Sequence, residues 1–177
     1  MLNRDRAHEI FQRIRKLSTA DEVELIVSGG RSALTRFANN GITQNVAEEN
    51  YAASLRVAFD GRTARASTNR FDDAGLRLVV EQAEALAKVQ PRDPDLLPVP
   101  TPEEAGSAPA LKRHVARTAA VDAAQRAEGV AGMVGIAKRE RLTAAGTFAV
   151  SEQMEALPAS TVRTTGLPDN PPVAVGV

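Results

Sequence analysis

Two short residue pairs that favour tight turns, Asn40-Gly41 and Asp60-Gly61, constrain the fold of this chain more than any other feature of its sequence. Each pair adjoins segments in which apolar and polar residues alternate, most clearly over residues 51–59. That alternation is typical of a strand with one buried face, and such pairs supply the positive φ angles of hairpin turns. We therefore predict an antiparallel meander sheet with one packed face and one solvated face.

The segments on either side of this strand region have the three- and four-residue spacing of amphipathic helices. The first helix covers roughly residues 4–17, and the second runs from Asp72 to about residue 90, with Phe71 as a hydrophobic staple and Asp72 as a cap. Between them, a strand over residues 22–27 is expected to end at Ser28-Gly29-Gly30-Arg31, and a hairpin of residues 33–39 and 42–47 follows. Residues 1–90 are predicted to form an N-terminal domain of order α-β-β-β-β-α.

Proline dominates residues 91–110, which contain six of the ten prolines of the chain. Because proline neither continues a helix nor pairs within a central strand, we predict a linker or an extended crossover there. Residues 111–157 then begin a second unit, with a helix to about residue 141 and a strand over residues 142–150. Residues 158–177 lose this periodicity, and we expect an irregular tail and a truncated or frame-shifted gene product. The predicted class is α+β: a meander sheet with helices packed on one face, followed by a partial second α/β unit.

Composition excludes several kinds of function. The 22 basic and 22 acidic residues balance, so net charge gives no reason to expect binding to nucleic acid or to a membrane surface. The absence of cysteine excludes disulfides, thiolate nucleophiles and cysteine-ligated zinc within this chain. No apolar core of a signal peptide is found, and no stretch approaches the ~18 apolar residues that span a bilayer. We expect a soluble cytoplasmic protein and interpret the six arginines of residues 31–70 as a solvated sheet face.

No catalytic or metal-binding motif is complete. His8-Glu9 begins like the H-E-x-x-H zinc motif, but the second histidine would fall at Gln12, and the only other histidine is His114. Gly30-Arg31-Ser32 begins like a nucleophile elbow but lacks its last glycine, so a turn is the simpler interpretation. We therefore predict no catalytic residue and no metal ligand within this chain.

Two further groups have structural interpretations. Asp72-Asp73 places two carboxylates together, as acid–base catalysis requires, but at a helix start they are explained as a cap and a partner of the helix dipole. Gly129, Gly132 and Gly135 do not have the spacing of a phosphate-binding loop. We expect these glycines to allow close packing of their helix against a neighbour.

The run from Arg36 to Gln44, RFANNGITQ, resembles the R-x-A-N-N-x-I-T-Q strand–turn–strand of the TldD/PmbA family, which is also called modulator of DNA gyrase. The likeness covers roughly residues 5–157, and Leu142-Thr143-Ala144-Ala145-Gly146 is similar to the family's L-x-A-A-G step into a further strand. The resemblance implies a cytoplasmic, metallopeptidase-like protein that trims or degrades peptides. It also implies a homodimer, or a heterodimer with a paralogous family member.

The resemblance implies a zinc site as well, but not in this chain. The family's ligands lie on an H-E-x-x-x-H helix and a downstream cysteine, in the later part of its members. Neither is found in this sequence, so no catalytic residue is carried over to it. Zinc is expected only in a C-terminal part that this chain does not include, or in a partner.

These observations predict the non-catalytic N-terminal part of a TldD/PmbA-like metallopeptidase, which gives dimer contacts or one wall of a substrate chamber. Contact with a peptide or a partner is expected at Arg36, Asn39, Asn40 and Gln44, where side-chain amides match a peptide backbone; the alternative is that these amides only satisfy the turn. Two other functions stay open. One is an interaction or regulatory module that binds a full-length, metal-bearing partner, and the other, with less support, is a nucleic-acid accessory protein.

Overall fold

Five strands form one sheet in the computed structural model of the chain, which describes residues 2–99, 113–161 and 173–176. In chain order the elements are α1 (Arg4–Leu17), β1 (Glu22–Ala38), β2 (Gly41–Phe59), β3 (Arg62–Thr68), α2 (Asp73–Val89), α3 (Ala116–Ala119), α4 (Ala123–Arg139), β4 (Gly146–Thr161) and β5 (Val173–Gly176). The strands lie in the order β3-β2-β1-β4-β5, so the first three strands form a meander. The predicted α+β class is confirmed.

The chain forms two compact units, and β1 and β2 run through both. The first unit contains Met1–Gly29, Tyr51–Leu111 and Met154–Val177, and the second contains Gly30–Asn50 and Lys112–Gln153. The chain therefore passes from one unit to the other within long strands, and neither unit is a single stretch of the sequence. The predicted domains are successive stretches of the sequence, and their bounds stay a prediction.

Strands β1 and β2 are longer than expected, so the N-terminal region has three strands where four were predicted. β1 continues through Ser28-Gly29-Gly30-Arg31, where we expected it to end. Gly29 adopts a φ of 143°, a conformation that side chains disfavour, and the strand passes through it without stopping. A Cβ atom at Gly30 would overlap the backbone carbonyl of Glu152 on β4. The second glycine thus permits the approach of a neighbouring strand and does not form a turn.

The core of the first unit lies between its helices and one face of the sheet. The strand residues that enter it alternate along β1 and β2, as predicted for one packed face, and α1 buries its apolar stripe. Full burial of a large aliphatic or aromatic side chain contributes roughly 1.5–3 kcal/mol, so these residues dominate the stability of the unit. The largest members are Ile10, Phe11, Ile14, Val23, Leu25, Val27, Leu55, Val57, Leu76 and Val79.

A buried carboxylate on α2 fixes the loop that follows α1. Glu84 accepts hydrogen bonds from Ser18 Oγ at 2.8 Å, from Thr19 N at 2.6 Å and from Thr19 Oγ1 at 3.0 Å. Lys88 Nζ lies 3.8 Å from the Oε2 atom of Glu84. Because a buried charge without partners is strongly destabilising, these bonds are what make the position of Glu84 tolerable.

The core of the second unit is smaller and lies under α4. Asp122 caps this helix through a capping box with Gln125, in which Gln125 N donates to Asp122 Oδ1 at 2.8 Å and Asp122 N donates to Gln125 Oε1 at 3.0 Å. Val130 and Val134 of α4 pack on Phe37 of β1. The cap and this apolar contact explain why α4 forms in spite of three internal glycines.

Of those three glycines, only Gly129 has the predicted role in close packing. A Cβ atom at Gly129 would lie 3.3 Å from Cε2 of Phe148 on β4. At Gly132 no atom of the described residues lies within 4 Å of such a Cβ, and at Gly135 the nearest described atom belongs to Arg139 of the same helix. The expectation for Gly132 and Gly135 was therefore wrong, because their side of α4 faces no neighbouring element among the described residues.

The first half of the predicted linker lies against the first unit. Asp93 N donates to Gly61 O at 2.8 Å, and Arg92 Nη2 lies 2.9 Å from Asp60 Oδ1. Val99 is buried. Residues 91–99 are thus attached at the β2–β3 turn and contain a turn of their own at Pro94-Asp95, and residues 100–110 lie outside the described residues.

The described parts of the predicted irregular tail are in strands. β4 continues to Thr161, and β5 pairs with it antiparallel, with Pro158 opposite Val173 and Glu155 opposite Gly176. Residues 162–172 lie outside the described residues.

The start of α2 confirms the capping interpretation of Asp72. Asp72 Oδ1 accepts a hydrogen bond from Gly75 N at 2.6 Å, and Arg70 Nη2 donates to Asp72 Oδ2 at 3.0 Å. The hydrogen bond from Arg70, followed by the one from the Gly75 backbone, holds the pKa of Asp72 below its ordinary value of 3.8. Both donors favour the ionised carboxylate, as expected at the positive end of a helix dipole.

Replacing Gly30 with alanine should lower the free energy of unfolding by about 1–3 kcal/mol, because the added methyl group overlaps backbone that cannot rotate away. Gly132→Ala is the matched control, because the new Cβ meets no atom within 4 Å in the part of the chain that the structure describes. We expect it to raise the free energy of unfolding by about 0.5–1 kcal/mol through helix propensity. Chemical denaturation measures both values, and equal effects would contradict the close β1–β4 contact.

Asp72→Asn should lower the melting temperature at neutral pH, since asparagine keeps the capping oxygen but loses the charge that Arg70 stabilises. A lowered carboxyl pKa contributes stability that is present above the unfolded pKa and is lost as pH falls. The difference between wild type and variant should therefore shrink as pH falls below 3.8, the ordinary value for this group. Thermal melts across that range test the expectation, and a gap that does not change with pH would refute it.

Candidate peptide-contact surface

The β1–β2 turn is formed one residue earlier than predicted. Asn39 and Asn40 have φ angles of 50° and 58°, whereas Gly41 already begins β2 and has no positive φ. A type I′ turn needs a positive φ at both central residues, and asparagine tolerates this conformation better than other residues with side chains. The predicted Asn40-Gly41 centre of the turn was therefore wrong by one position.

Asn40 connects the hairpin to the segment before β4. Its side-chain Nδ2 donates to Leu142 O at 2.9 Å, and its Oδ1 accepts from Ala144 N at 2.7 Å. Its backbone N donates to Ala144 O at 3.2 Å. Both polar atoms of the side chain are thus occupied within the chain, which agrees with the alternative that this amide satisfies neighbouring backbone.

The other three predicted contact residues are exposed. Arg36 Nη1 on β1 donates to Gln44 Oε1 on β2 at 3.2 Å, so the structure brings these two side chains together across the hairpin. Asn39 lies at the tip of the turn, away from that pair. Of the four residues, Arg36 and Gln44 form one group, and Asn39 and Asn40 lie at the turn beyond it.

Arg36 and Gln44 line one end of a shallow trough on the sheet face of the second unit. The trough encloses about 200 Å³. Ala33, Thr35 and Phe37, which alternate with its β1 members along the strand, are buried, and Phe37 packs under α4, so the trough lies on the face without that helix. Its lining residues are Ser32, Leu34, Arg36, Gln44, Val46 and Glu48.

A buried arginine on the opposite face was not predicted from the sequence. Arg126 of α4 is only 2% exposed. Its Nε donates to Thr35 Oγ1 at 3.3 Å, its Nη1 to Val121 O at 3.3 Å and its Nη2 to Asn45 Oδ1 at 2.9 Å. Within the described ranges no carboxylate forms an ion pair with it, so neutral oxygens alone compensate the loss of water around the guanidinium.

The helical spacing contains a signal that could have identified this residue. The buried positions of α4 are Arg126, Val130, Val134 and Ala137, which follow each other at four-, four- and three-residue steps. Because an arginine is normally placed in solvent, a search for apolar residues alone passes over it. The spacing itself includes Arg126.

Neither histidine belongs, together with other described residues, to a group that could hold a metal. His8 Nε2 lies 3.3 Å from Gln12 Nε2, and His114 Nε2 lies 2.8 Å from Glu152 Oε1. Over the described part of the chain, no cluster of three or more histidine, cysteine, aspartate or glutamate residues has the arrangement of a metal site. None of the helices described there combines the length and apolar character needed to traverse a bilayer.

Comparison with known proteins identifies the strand–helix segment of the chain. Residues 23–87 match the family described as PmbA/TldA metallopeptidase domain 1, a span that runs from β1 into α2. This confirms the resemblance found in the sequence for that part of the chain. No curated protein sequence matches the chain.

Solved structures share the fold. TldE from Thermococcus kodakarensis matches with a TM-score of 0.64 at 14% identity, and the match covers 89% of this chain and 39% of the TldE chain. A proposed modulator of a DNA gyrase from Thermotoga maritima has a TM-score of 0.62 at 15% identity, with coverages of 89% and 40%. A similar protein from Bacteroides thetaiotaomicron has a TM-score of 0.61 at 16% identity, with coverages of 99% and 45%. This chain therefore spans less than half the length of these structures, and the likeness shows a common fold alone.

The connection made by Asn40 can be separated from the strain of the turn by comparing two variants. Asn39→Ala and Asn40→Ala both place alanine at a positive φ, so the backbone cost is shared. Only Asn40→Ala also removes two side-chain hydrogen bonds, which contribute about 0.5–1.5 kcal/mol each. We expect Asn40→Ala to be less stable than Asn39→Ala by roughly 1–3 kcal/mol in urea denaturation. Equal stabilities would show that the connection to Leu142 and Ala144 contributes nothing.

Proposed function

We propose that this chain is the non-catalytic N-terminal part of a PmbA/TldD-type metallopeptidase, in which it forms one wall of the space that receives a peptide. The match of residues 23–87 to the first domain of these metallopeptidases is the observation that carries the proposal. Coverage of 39–45% of three solved structures supports it, since a part of this size would act together with residues supplied from elsewhere.

The trough of the second unit is the surface best suited to such a wall. An extended peptide presents alternating backbone donors and acceptors, together with side chains that need apolar or charged partners. Leu34 and Val46 offer apolar contact, while Arg36 and Gln44 keep N–H groups beyond the bond between them. Asn40 is not included, because both polar atoms of its side chain are already bonded.

Peptide hydrolysis needs an activated water molecule and a group that polarises the carbonyl, as a zinc ion does in metallopeptidases. In this proposal the zinc and its ligands belong to a C-terminal part or to a paralogous partner. The residues of this chain hold the peptide in an extended form and limit its motion, which brings the scissile bond to a catalytic centre at a lower entropic cost.

A second candidate is a regulatory module that binds a full-length, metal-bearing family member. The outward face of α4 favours this function, because Met133 and Ile136 are 42% and 55% exposed and Ala131 and Gly132 beside them are exposed as well. Neighbouring apolar side chains on the outside of one helix are typical of a protein contact surface.

The proposal predicts that the purified chain, supplied with zinc, binds an unstructured fluorescent peptide but does not cleave it. Saturable fluorescence anisotropy would measure binding, and chromatography of the peptide would measure cleavage. Peptide binding without cleavage is expected, because the surface is present and the catalytic residues are supplied from elsewhere. Hydrolysis that stops when a chelator is added would overturn the proposal.

The same preparation separates the two candidates. Size-exclusion chromatography with a full-length, metal-bearing family member would show a stable mixed complex if the chain is a regulatory module. A mixed complex together with no peptide binding by the chain alone supports the module. Peptide binding by the chain alone supports the wall.

A further inference from the structure

We infer that Asn40 is a site of spontaneous covalent modification, at which the Asn40-Gly41 pair loses ammonia and the asparagine becomes aspartate or isoaspartate. The hydrogen bonds from the Asn40 side chain to the segment before β4 slow this reaction while the chain is folded. A chain that unfolds is therefore changed in a way that it cannot reverse by itself. The inference does not depend on the proposed function.

Asn40 is the one asparagine of this sequence that is followed by glycine. Asparagine is thermolabile, because the backbone nitrogen of the next residue can attack its side-chain amide. Glycine favours this attack, since it has no side chain to obstruct the approach and its backbone rotates freely. Asn39 is followed by a second asparagine, Asn45 by valine and Asn50 by tyrosine. The sequence thus favours the reaction at Asn40 over these three positions.

The reaction closes a ring and then opens it. The Gly41 nitrogen attacks the Asn40 Cγ atom, and the bond from Cγ to Nδ2 breaks. The side-chain nitrogen leaves as ammonia and takes the proton that the Gly41 nitrogen gives up. Water then hydrolyses the cyclic imide: opening at Cγ gives aspartate, and opening at the backbone carbonyl carbon gives isoaspartate. Solvent reaches the pair, because Gly41 is exposed and Asn40 is half-buried.

The fold does not require a glycine at position 41. Gly41 begins β2 and has no positive φ. A Cβ atom there would lie 3.8 Å from the backbone oxygen of Ala38, which is an ordinary van der Waals distance. Alanine therefore fits this position, and the variant Gly41→Ala separates the chemistry of the pair from the stability of the hairpin.

The folded chain opposes the first step of the reaction. Asn40 Nδ2 donates to Leu142 O at 2.9 Å, and Asn40 Oδ1 accepts from Ala144 N at 2.7 Å. Ring closure needs the side chain to rotate until Cγ meets the Gly41 nitrogen, and both bonds resist that rotation. Two hydrogen bonds of ordinary strength reduce the population of the released side chain by roughly five- to hundredfold.

The product cannot restore the connection to the segment before β4. An aspartate at position 40 can still accept from Ala144 N, but its second oxygen meets the carbonyl oxygen of Leu142 with no proton to donate at neutral pH. An isoaspartate also lengthens the backbone of the turn. Either product weakens the hold of the β1–β2 turn on residues 142–144 and adds a negative charge.

Mass spectrometry during incubation in mildly alkaline buffer tests the site. Trypsin releases residues 37–56 as one peptide, in which Asn39, Asn45 and Asn50 are internal controls. The mass gain from exchanging ammonia for water should appear at Asn40 first. It should be roughly five- to hundredfold faster in guanidinium chloride than in the folded chain. Gly41→Ala should slow the gain in both states and leave the unfolding midpoint unchanged.

Equal rates in the folded and the unfolded chain would overturn the inference. A gain at Asn39 as fast as that at Asn40, or a rate that Gly41→Ala does not change, would overturn it too.

The consequence of the reaction is tested with Asn40→Asp, which reproduces one product. Asn39→Asp is the matched control, because it adds the same charge at a neighbouring position that also has a positive φ. Asn40→Asp should unfold at a lower denaturant concentration, since it alone removes the donor to Leu142 O. Equal midpoints would contradict the inference. The rates at Asn40 do not depend on this variant, so they decide the matter even if Asn40→Asp does not fold.

Discussion

The pairing of β1 with β2 is the constraint on which the other elements depend. In the first unit this pair supplies the apolar face that α1 and α2 bury. In the second unit the same two strands supply a face for α4 and a free face that carries the trough. β1 passes through this point as one strand because Gly29 accepts a φ that other residues disfavour and because Gly30 leaves room for the backbone of β4. Two adjacent glycines therefore do the opposite of what their sequence suggests: they prolong a strand.

The position of α4 depends on a polar network as well as on apolar packing. Arg126 binds one oxygen on β1, through Thr35, and one on β2, through Asn45. A guanidinium with fixed planar donors is satisfied in few orientations, so these bonds discriminate between registers of the helix on the strands more sharply than Val130 and Val134 do. Burying the cation costs free energy, and we infer that Arg126 contributes more to the specificity of packing than to stability.

Features that depend on residues close together in the chain could be predicted from the sequence. Features that depend on residues far apart in the chain could not. The stripe of α1, the Asp72 cap and the Asp60-Gly61 turn depend on residues within one or two turns of each other, and all were predicted correctly. The requirement for a glycine at position 30 depends on the backbone of Glu152, which lies far along the chain. The partners of Asn40 lie 102 and 104 residues away, and those of Arg126 up to 91. No local periodicity records such partners, so the trough was only partly predicted, through Arg36 and Gln44.

The attachment of residues 91–99 makes the first half of the proline-rich segment a part of the first unit. The ion pair of Arg92 with Asp60 and the hydrogen bond of Asp93 with Gly61 hold this stretch at the β2–β3 turn. Ordering a stretch of chain loses backbone entropy, and the loss is smaller at proline, because the φ angle of proline is already restricted in the unfolded chain. The prolines of this stretch, Pro91, Pro94 and Pro98, therefore lower the entropic cost of holding residues 91–99 at that turn.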